Sequence, residues 1–246
     1  MTSLKLVCKR LSAGIVLLQW FGNLVLALLA FAWLQIPDSH AWQFVFSVLT
    51  AAILVIAFLG LHVHTFRRLR ALPSAAPWWP ILILFAVVVL GYFLLQHIGI
   101  GRAHEGLYAG YWNSRFSAGQ RSFFTFQRLV EWQDHFYDLL QWLLVALLLP
   151  IAFVGAARGL RSGVSAIGRV YRHVLYWLVV VICGFVGSCI TALLAGWTSG
   201  RGTAAEIISV LLRLGLAYTV DILLWCFVLA LMAVYSISVA TTEPES

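Results

Sequence analysis

Residues 131–157 read EWQDHFYDLLQWLLVALLLPIAFVGAA, and the change of composition inside this stretch decides the fold. At about 100° per residue, Arg128, Glu131, Asp134, His135, Asp138 and Gln141 fall within a ~140° arc of one helix. From Leu139 the chain turns almost wholly apolar. A run of about 20 such residues is enough for a helix to cross the hydrocarbon core of a bilayer. In lipid every backbone N–H and C=O must be satisfied within the protein, which leaves helices or closed barrels. Barrel strands alternate apolar and polar side chains. The run Leu-Leu-Val-Ala-Leu-Leu-Leu does not alternate, so the segment is predicted to be a helix.

Five more runs of this kind flank it. The spans are placed at about 12–34, 42–61, 81–97, 136–157, 174–196 and 207–240, with a connection over 98–135 and a polar, frayed tail over 241–246. Composition agrees: 62% of the chain is hydrophobic and 10% is charged, against about 45–50% and about 25% in soluble domains. The predicted class is an all-α polytopic membrane bundle of six spans, forming a single domain. The first run has a basic start, but Gln19 and Asn23 interrupt it and it exceeds a signal-peptide core, so it is read as a span rather than a cleaved leader.

Charge sets the orientation. Basic residues gather at Lys5, Lys9 and Arg10, at Arg67, Arg68 and Arg70, and at Arg158, Arg161, Arg169 and Arg172. No acid accompanies these clusters. Arg102, Arg115, Arg121, Arg128 and Arg201 are scattered among most of the acids. Six spans put the three clusters on one side, and the positive-inside rule makes that side cytoplasmic, with both termini there. The net charge of +7 then points to the lipid bilayer, with anionic headgroups at the cytoplasmic face as partners, and needs no nucleic acid. All basic residues but Lys5 and Lys9 are arginine and no Asn-x-Ser/Thr sequon occurs, which fits a bacterial inner membrane. Cys8, Cys183, Cys189 and Cys226 have neither metal-ligand spacing nor a placement for an extracytoplasmic disulfide.

The connections carry their own signals. Pro37, Asp38 and Ser39 form a turn. Pro73, Pro77 and Pro80 follow the arginine cluster, with Trp78 and Trp79 at headgroup depth. Gly99, Gly101, Gly106, Gly110 and Gly119 are expected to break the first half of the long connection. The second half, about 121–135, has helical spacing and is predicted to be an interfacial helix.

Inside the spans, Asp221 is the costly residue. A carboxylate at the bilayer centre costs about 2.5–3.5 kcal/mol on insertion scales, which leaves it protonated or paired; the alternative is that the sixth run, longer than one span, begins above the membrane and holds Asp221 only about a third of the way in. Arg213, eight residues earlier, is separated from it by ~12 Å of rise and an ~80° turn, and is expected to reach outward to Glu206. Gln19 and Asn23 share one face of the first span and are expected to hydrogen-bond Asp221 if the first and sixth spans touch. Asp221, Asn23, Gln19 and Arg213 are therefore the candidates for a transport site or relay. The plainer alternative is that they join helices, at about 0.6 kcal/mol per bond.

Two helix features read as architecture. Gly184, Ser188, Ala192 and Gly196 recur every four residues, flanked by Gly187, Thr191 and Ala195, and predict a close helix–helix contact. That contact is either internal or the docking face for a homo-oligomer or membrane partner. Pro150 marks a kink in the fourth span.

The outer stripe Glu131, Asp134, His135 and Asp138 can be a solvated face, an entry vestibule, or a metal site. In the metal case Glu131, His135 and His97 would be ligands, with His104 and Glu105 nearby. Pairing His62 or His64 with His173, and His97 with His135, would mimic two bis-His haem sites. No phosphate-binding glycine loop, Gly-x-Ser-x-Gly elbow or Cys-x-x-Cys occurs, and no cofactor is named. Three functions stay open: permeation of a small solute, ion or proton near Asp221; a membrane enzyme with an outer His/carboxylate centre and a lipid-like substrate; and a non-catalytic membrane subunit.

Overall fold

The computed structural model describes residues 2–37, 39–71, 79–158, 160–197 and 202–237. Asp38 in the first turn, Pro73, Pro77 and Trp78, the last residues of the sixth run and the tail 241–246 lie outside the described residues. The described residues form ten helices and no strand. They are α1 (Thr2–Arg10), α2 (Ala13–Trp33), α3 (Ala41–Leu69), α4 (Trp79–Ala103), α5 (Glu105–Arg115), α6 (Ala118–Phe123), α7 (Phe126–Arg158), α8 (Leu160–Tyr171), α9 (Val174–Gly196) and α10 (Thr203–Tyr235). Helices α2, α3, α4, α7, α9 and α10 are long and apolar enough to cross a membrane, so the chain is an all-α multi-pass membrane protein.

Local chemistry sets the helix starts. Ser12 caps α2, its hydroxyl accepting from the Ile15 N–H at 3.4 Å. Gln43 reaches back to the His40 N–H at 3.0 Å at the start of α3. The chain enters α10 through Gly202 with φ at 93°, a left-handed conformation that costs side-chain-bearing residues about 1–2 kcal/mol.

The six long helices form three hairpins, α2–α3, α4–α7 and α9–α10, which meet around a ring through the α3–α4, α7–α9 and α10–α2 contacts. Packing is uneven along the bundle. Leu229, Ala230, Leu231, Met232 and Ala233 are each 0% exposed. Five consecutive residues sweep more than a full turn, so this half of α10 is enclosed on every side and forms the axis. Leu59 to Leu69 of α3 and Ala152 to Ala156 of α7 pack at the same end. The opposite halves of α2, α3, α4 and α10 are largely exposed, and the hairpins separate there.

The tight end is also the basic end. The Arg10 Nη1 donates to the Leu69 carbonyl at 2.6 Å, tying α1 to α3. The Arg169 Nη2 donates to the Ser236 carbonyl at 3.2 Å, tying α8 to α10. Neither α1 nor α8 is evident from hydropathy, because both are too short to span. Their signal is a single apolar face, which buries Val7 in α1, and Ala166 and Val170 in α8.

The long connection corrects one expectation. Its glycines do not break it: Gly99 and Gly101 lie within α4, Gly106 and Gly110 within α5, and Gly119 within α6. Glycine costs about 1 kcal/mol against alanine in a helix interior, and α4 and α5 pack against α7. A Cβ at Gly101 would stand 3.1 Å from the Tyr137 hydroxyl, so here the glycine permits the contact. The segment 121–135 divides between the end of α6 and the first turns of α7. Helix α7 itself continues through Pro150, whose ring is fully buried.

Candidate functional site

Asp221 sits near the middle of α10, above the enclosed segment, on the side turned to α9. The Thr191 hydroxyl donates to its Oδ2 at 3.2 Å. Gly187, one turn away on α9, leaves room for the other oxygen: a Cβ there would stand 2.9 Å from Oδ1. Among the described residues no Lys, Arg or His forms an ion pair with this carboxylate.

Asp221 borders two cavities. One, of about 370 Å³, lies between α7, α9 and α10 and is walled by Trp142, Cys183, Gly184, Gly187, Thr191 and Trp225. The other, of about 640 Å³, lies between α2, α3, α4, α7 and α10 and is walled by Asn23, Phe58, His62, Tyr92, Phe153 and Trp225 among others. A third, of about 540 Å³, adjoins it through Asn23, Phe58 and Ile222. Volumes of this order hold drug-sized ligands.

The polar residues of α2 behave differently from expectation. Gln19 is fully buried, and its Nε2 donates to the Thr65 Oγ1 at 2.5 Å. Asn23 Nδ2 donates to the Gln19 Oε1 at 3.0 Å and to the Gln19 carbonyl at 2.8 Å. Gln19 therefore joins α2 to α3 rather than bonding Asp221, while Asn23 shares the large cavity with Asp221 without bonding it. Helices α2 and α10 do touch, one helical face away: the Trp20 Nε1 donates to the Thr219 Oγ1 at 3.1 Å, and the Tyr218 hydroxyl donates to the Trp20 carbonyl at 2.5 Å.

Arg213 does not reach Asp221. Its guanidinium donates to the Ser209 carbonyl at 3.2 Å, the Leu194 carbonyl at 3.0 Å and Glu206 Oε1 at 2.9 Å, and lies over the Trp197 ring. It satisfies the Leu194 carbonyl near the end of α9, where a cation is favoured by the helix dipole. The expected partnership with Glu206 is present; a role beside Asp221 is not.

The stripe on α7 splits in two. Arg102 of α4 binds both Asp134 and Asp138, the latter at 2.8 Å. Glu131 accepts from Gln127 at 3.4 Å, and His135 is exposed. The two i, i+4 pairs are about 60° apart around the helix, so only one of them faces α4. His97 and His104 each bond a carbonyl one turn back, at 2.8 Å. Among the described residues no three His, Cys, Asp or Glu side chains come together as a metal-ligand group, so Glu131, His135 and His97 do not converge.

The structure buries His62 of α3 against α10. Its Nδ1 accepts from the Trp225 Nε1–H at 3.3 Å, and Phe58 meets it edge-on at 4.4 Å. A ring nitrogen that accepts carries no proton, so this imidazole is the neutral Nε2–H tautomer. His173 stacks on Tyr235 at 4.1 Å. The two imidazoles thus have separate partners and do not form the facing pair that a bis-His haem site requires.

The small-residue stripe of α9 is also redistributed. Gly184 receives the Trp142 indole: a Cβ would stand 2.1 Å from its Cδ2. Ser188 lines the smaller cavity, whereas Ala192 is exposed and Gly196 faces open space. The close approach to α10 runs instead through the flanking Gly187 and Thr191. Trp142, Trp225, Phe58 and Tyr92 went unnoticed as site residues, because only tertiary packing brings them round Asp221. Comparison with protein-family models, curated proteins and solved structures finds no match for this chain.

Proposed function

We propose that this protein conducts a small solute, ion or proton across a membrane through the cavities that meet at Asp221. One observation carries the reading: a carboxylate in the middle of a spanning helix, without a cationic partner among the described residues, opens on two cavities. A residue kept only to join helices would spend both polar atoms of its side chain on neighbours, as Gln19 does with Nε2 on Thr65 and Oε1 on Asn23. Asp221 spends one, on Thr191, and a carboxylate left open at such depth is costly unless a ligand or proton uses it. Asn23 lines the same space and is the second polar contact in this reading. Arg213 is left to its structural role, and the acid stripe on α7 supplies at most a vestibule.

In this reading the basic end faces the cytoplasm, with both termini there and anionic headgroups around the arginines, in a bacterial inner membrane. The test is flux in proteoliposomes, read with an internal pH dye for protons and by release of a preloaded solute panel. Asp221→Asn should abolish the flux while the purified variant keeps its unfolding midpoint. Flux equal to that of the parent protein would remove Asp221 from the pathway.

A membrane-subunit role is the second reading. It is favoured by Ala192 and Gly196, which are left uncovered among the described residues. It expects a partner or second copy that is released from detergent-purified protein when Ala192 and Gly196 are changed to Leu. A monomer running alone in mild detergent counts against it. The enzyme reading gains no support, since Asp134 and Asp138 are taken up by Arg102.

A further inference from the structure

We infer that the ligand received at Asp221 is a lipophilic organic monocation that enters from the bilayer. The inference rests on the permeation reading of this site and names its substrate class. Asp221 is the only charged residue among those lining the two cavities it borders. The ionisable groups beside it are His62, Tyr92 and Cys183, and His62 is held neutral by the Trp225 N–H it accepts. The two cavities therefore share one carboxyl group and have no Lys or Arg among their lining residues.

The walls decide what kind of cation fits. A small inorganic ion needs about six oxygen ligands to replace its water, and one carboxylate with the Thr191 hydroxyl falls far short. Apolar walls cannot supply the rest. An organic cation with spread charge is weakly hydrated, buries apolar area against such walls, and is attracted to aromatic faces. Trp142 and Trp225 line the smaller cavity with Asp221, and Phe58, Tyr92 and Trp225 line the larger one.

The opening points to lipid. Phe58, Val88 and Tyr92 line the larger cavity and are 44%, 48% and 58% exposed. They lie on α3 and α4, and this exposure of wall residues opens the cavity sideways between the two spanning helices. A ligand already dissolved in the bilayer reaches Asp221 by this gap without crossing water.

Equilibrium binding to the full chain in lipid nanodiscs tests this, with tetraphenylphosphonium and tetraphenylborate as probes of one shape and opposite charge. The phosphonium should bind saturably and the borate should not. Asp221→Asn should weaken phosphonium binding about tenfold or more, given the size of a charge–charge interaction at low dielectric, and Asp221→Glu should keep it within a few-fold. Equal binding of the two probes, or unchanged phosphonium affinity in Asp221→Asn, overturns the inference. If the Asn variant does not fold, saturable quenching of tryptophan emission by the phosphonium alone, lost when Trp142 and Trp225 are changed to Phe, supports it, and equal quenching by both probes overturns it. Absent phosphonium binding alongside Asp221-dependent flux of another solute removes the substrate class and leaves permeation standing. Asp221-dependent phosphonium binding without any flux keeps the ligand class and removes permeation.

Discussion

Gly184 and Gly60 are both interior helical glycines, yet their surroundings make opposite demands. A Cβ at Gly184 would stand 2.1 Å from Trp142, whereas Gly60 has nothing within 4 Å. Overpacking costs about 1–3 kcal/mol, so Gly184→Ala should lower stability by that amount, and adding Trp142→Leu should recover most of it. Gly60→Ala should be neutral or gain up to about 1 kcal/mol from helix propensity. Thermal unfolding in detergent checks both, and equal shifts at the two sites would mean that the indole is not seated on Gly184. The spacing of Gly184 was legible in the sequence; its partner was not, because nothing local distinguishes a backbone neighbour from an indole. Asp221 was legible for a different reason. Its cost in lipid marks it whatever the fold, but its hydroxyl partner sits on another helix.

At the scale of elements, two polar contacts join neighbouring helices and differ in worth. The Arg102 bridge between α4 and α7 has side chains 36%, 38% and 32% exposed, and ion pairs this wet contribute about 0–1 kcal/mol. The Gln19–Thr65 bond between α2 and α3 is fully buried, and breaking it leaves Asn23 without its acceptor at Gln19 Oε1. Gln19→Ala should therefore cost more than Arg102→Ala, by roughly 1 kcal/mol or more when the lost bonds and the unsatisfied groups are counted together. A reversed order in denaturant unfolding would overturn this ranking. Added salt should narrow the effect of Arg102→Ala alone, since exposed charges are screened. Hydropathy located the six long helices, whereas α1, α5 and α8 were hidden from it. Each is too short to span, and each buries one face only because a long helix lies beside it.

Across the whole molecule the contrast between the two ends dominates. Helix α10 is enclosed from Leu229 to Ala233 and largely exposed from Thr203 to Leu216. Backbone openings are rarer where packing is dense, so hydrogen exchange in nanodiscs should be markedly slower in the enclosed half of α10 than in the other half. Uniform protection along α10 would mean that the hairpins close at both ends. That the chain dissolves in lipid, that six helices are long and apolar enough to cross it, and that Asp221 needs a reason to be there all follow from transfer energies summed over single segments. That Gln19 serves Thr65, that Arg213 serves the end of α9, and that Asp221 borders cavities whose lining includes aromatic rings come from packing between helices. Those outcomes depend on which helix faces turn toward one another, and in lipid that choice is made by side-chain shape and hydrogen bonding between segments far apart in the chain.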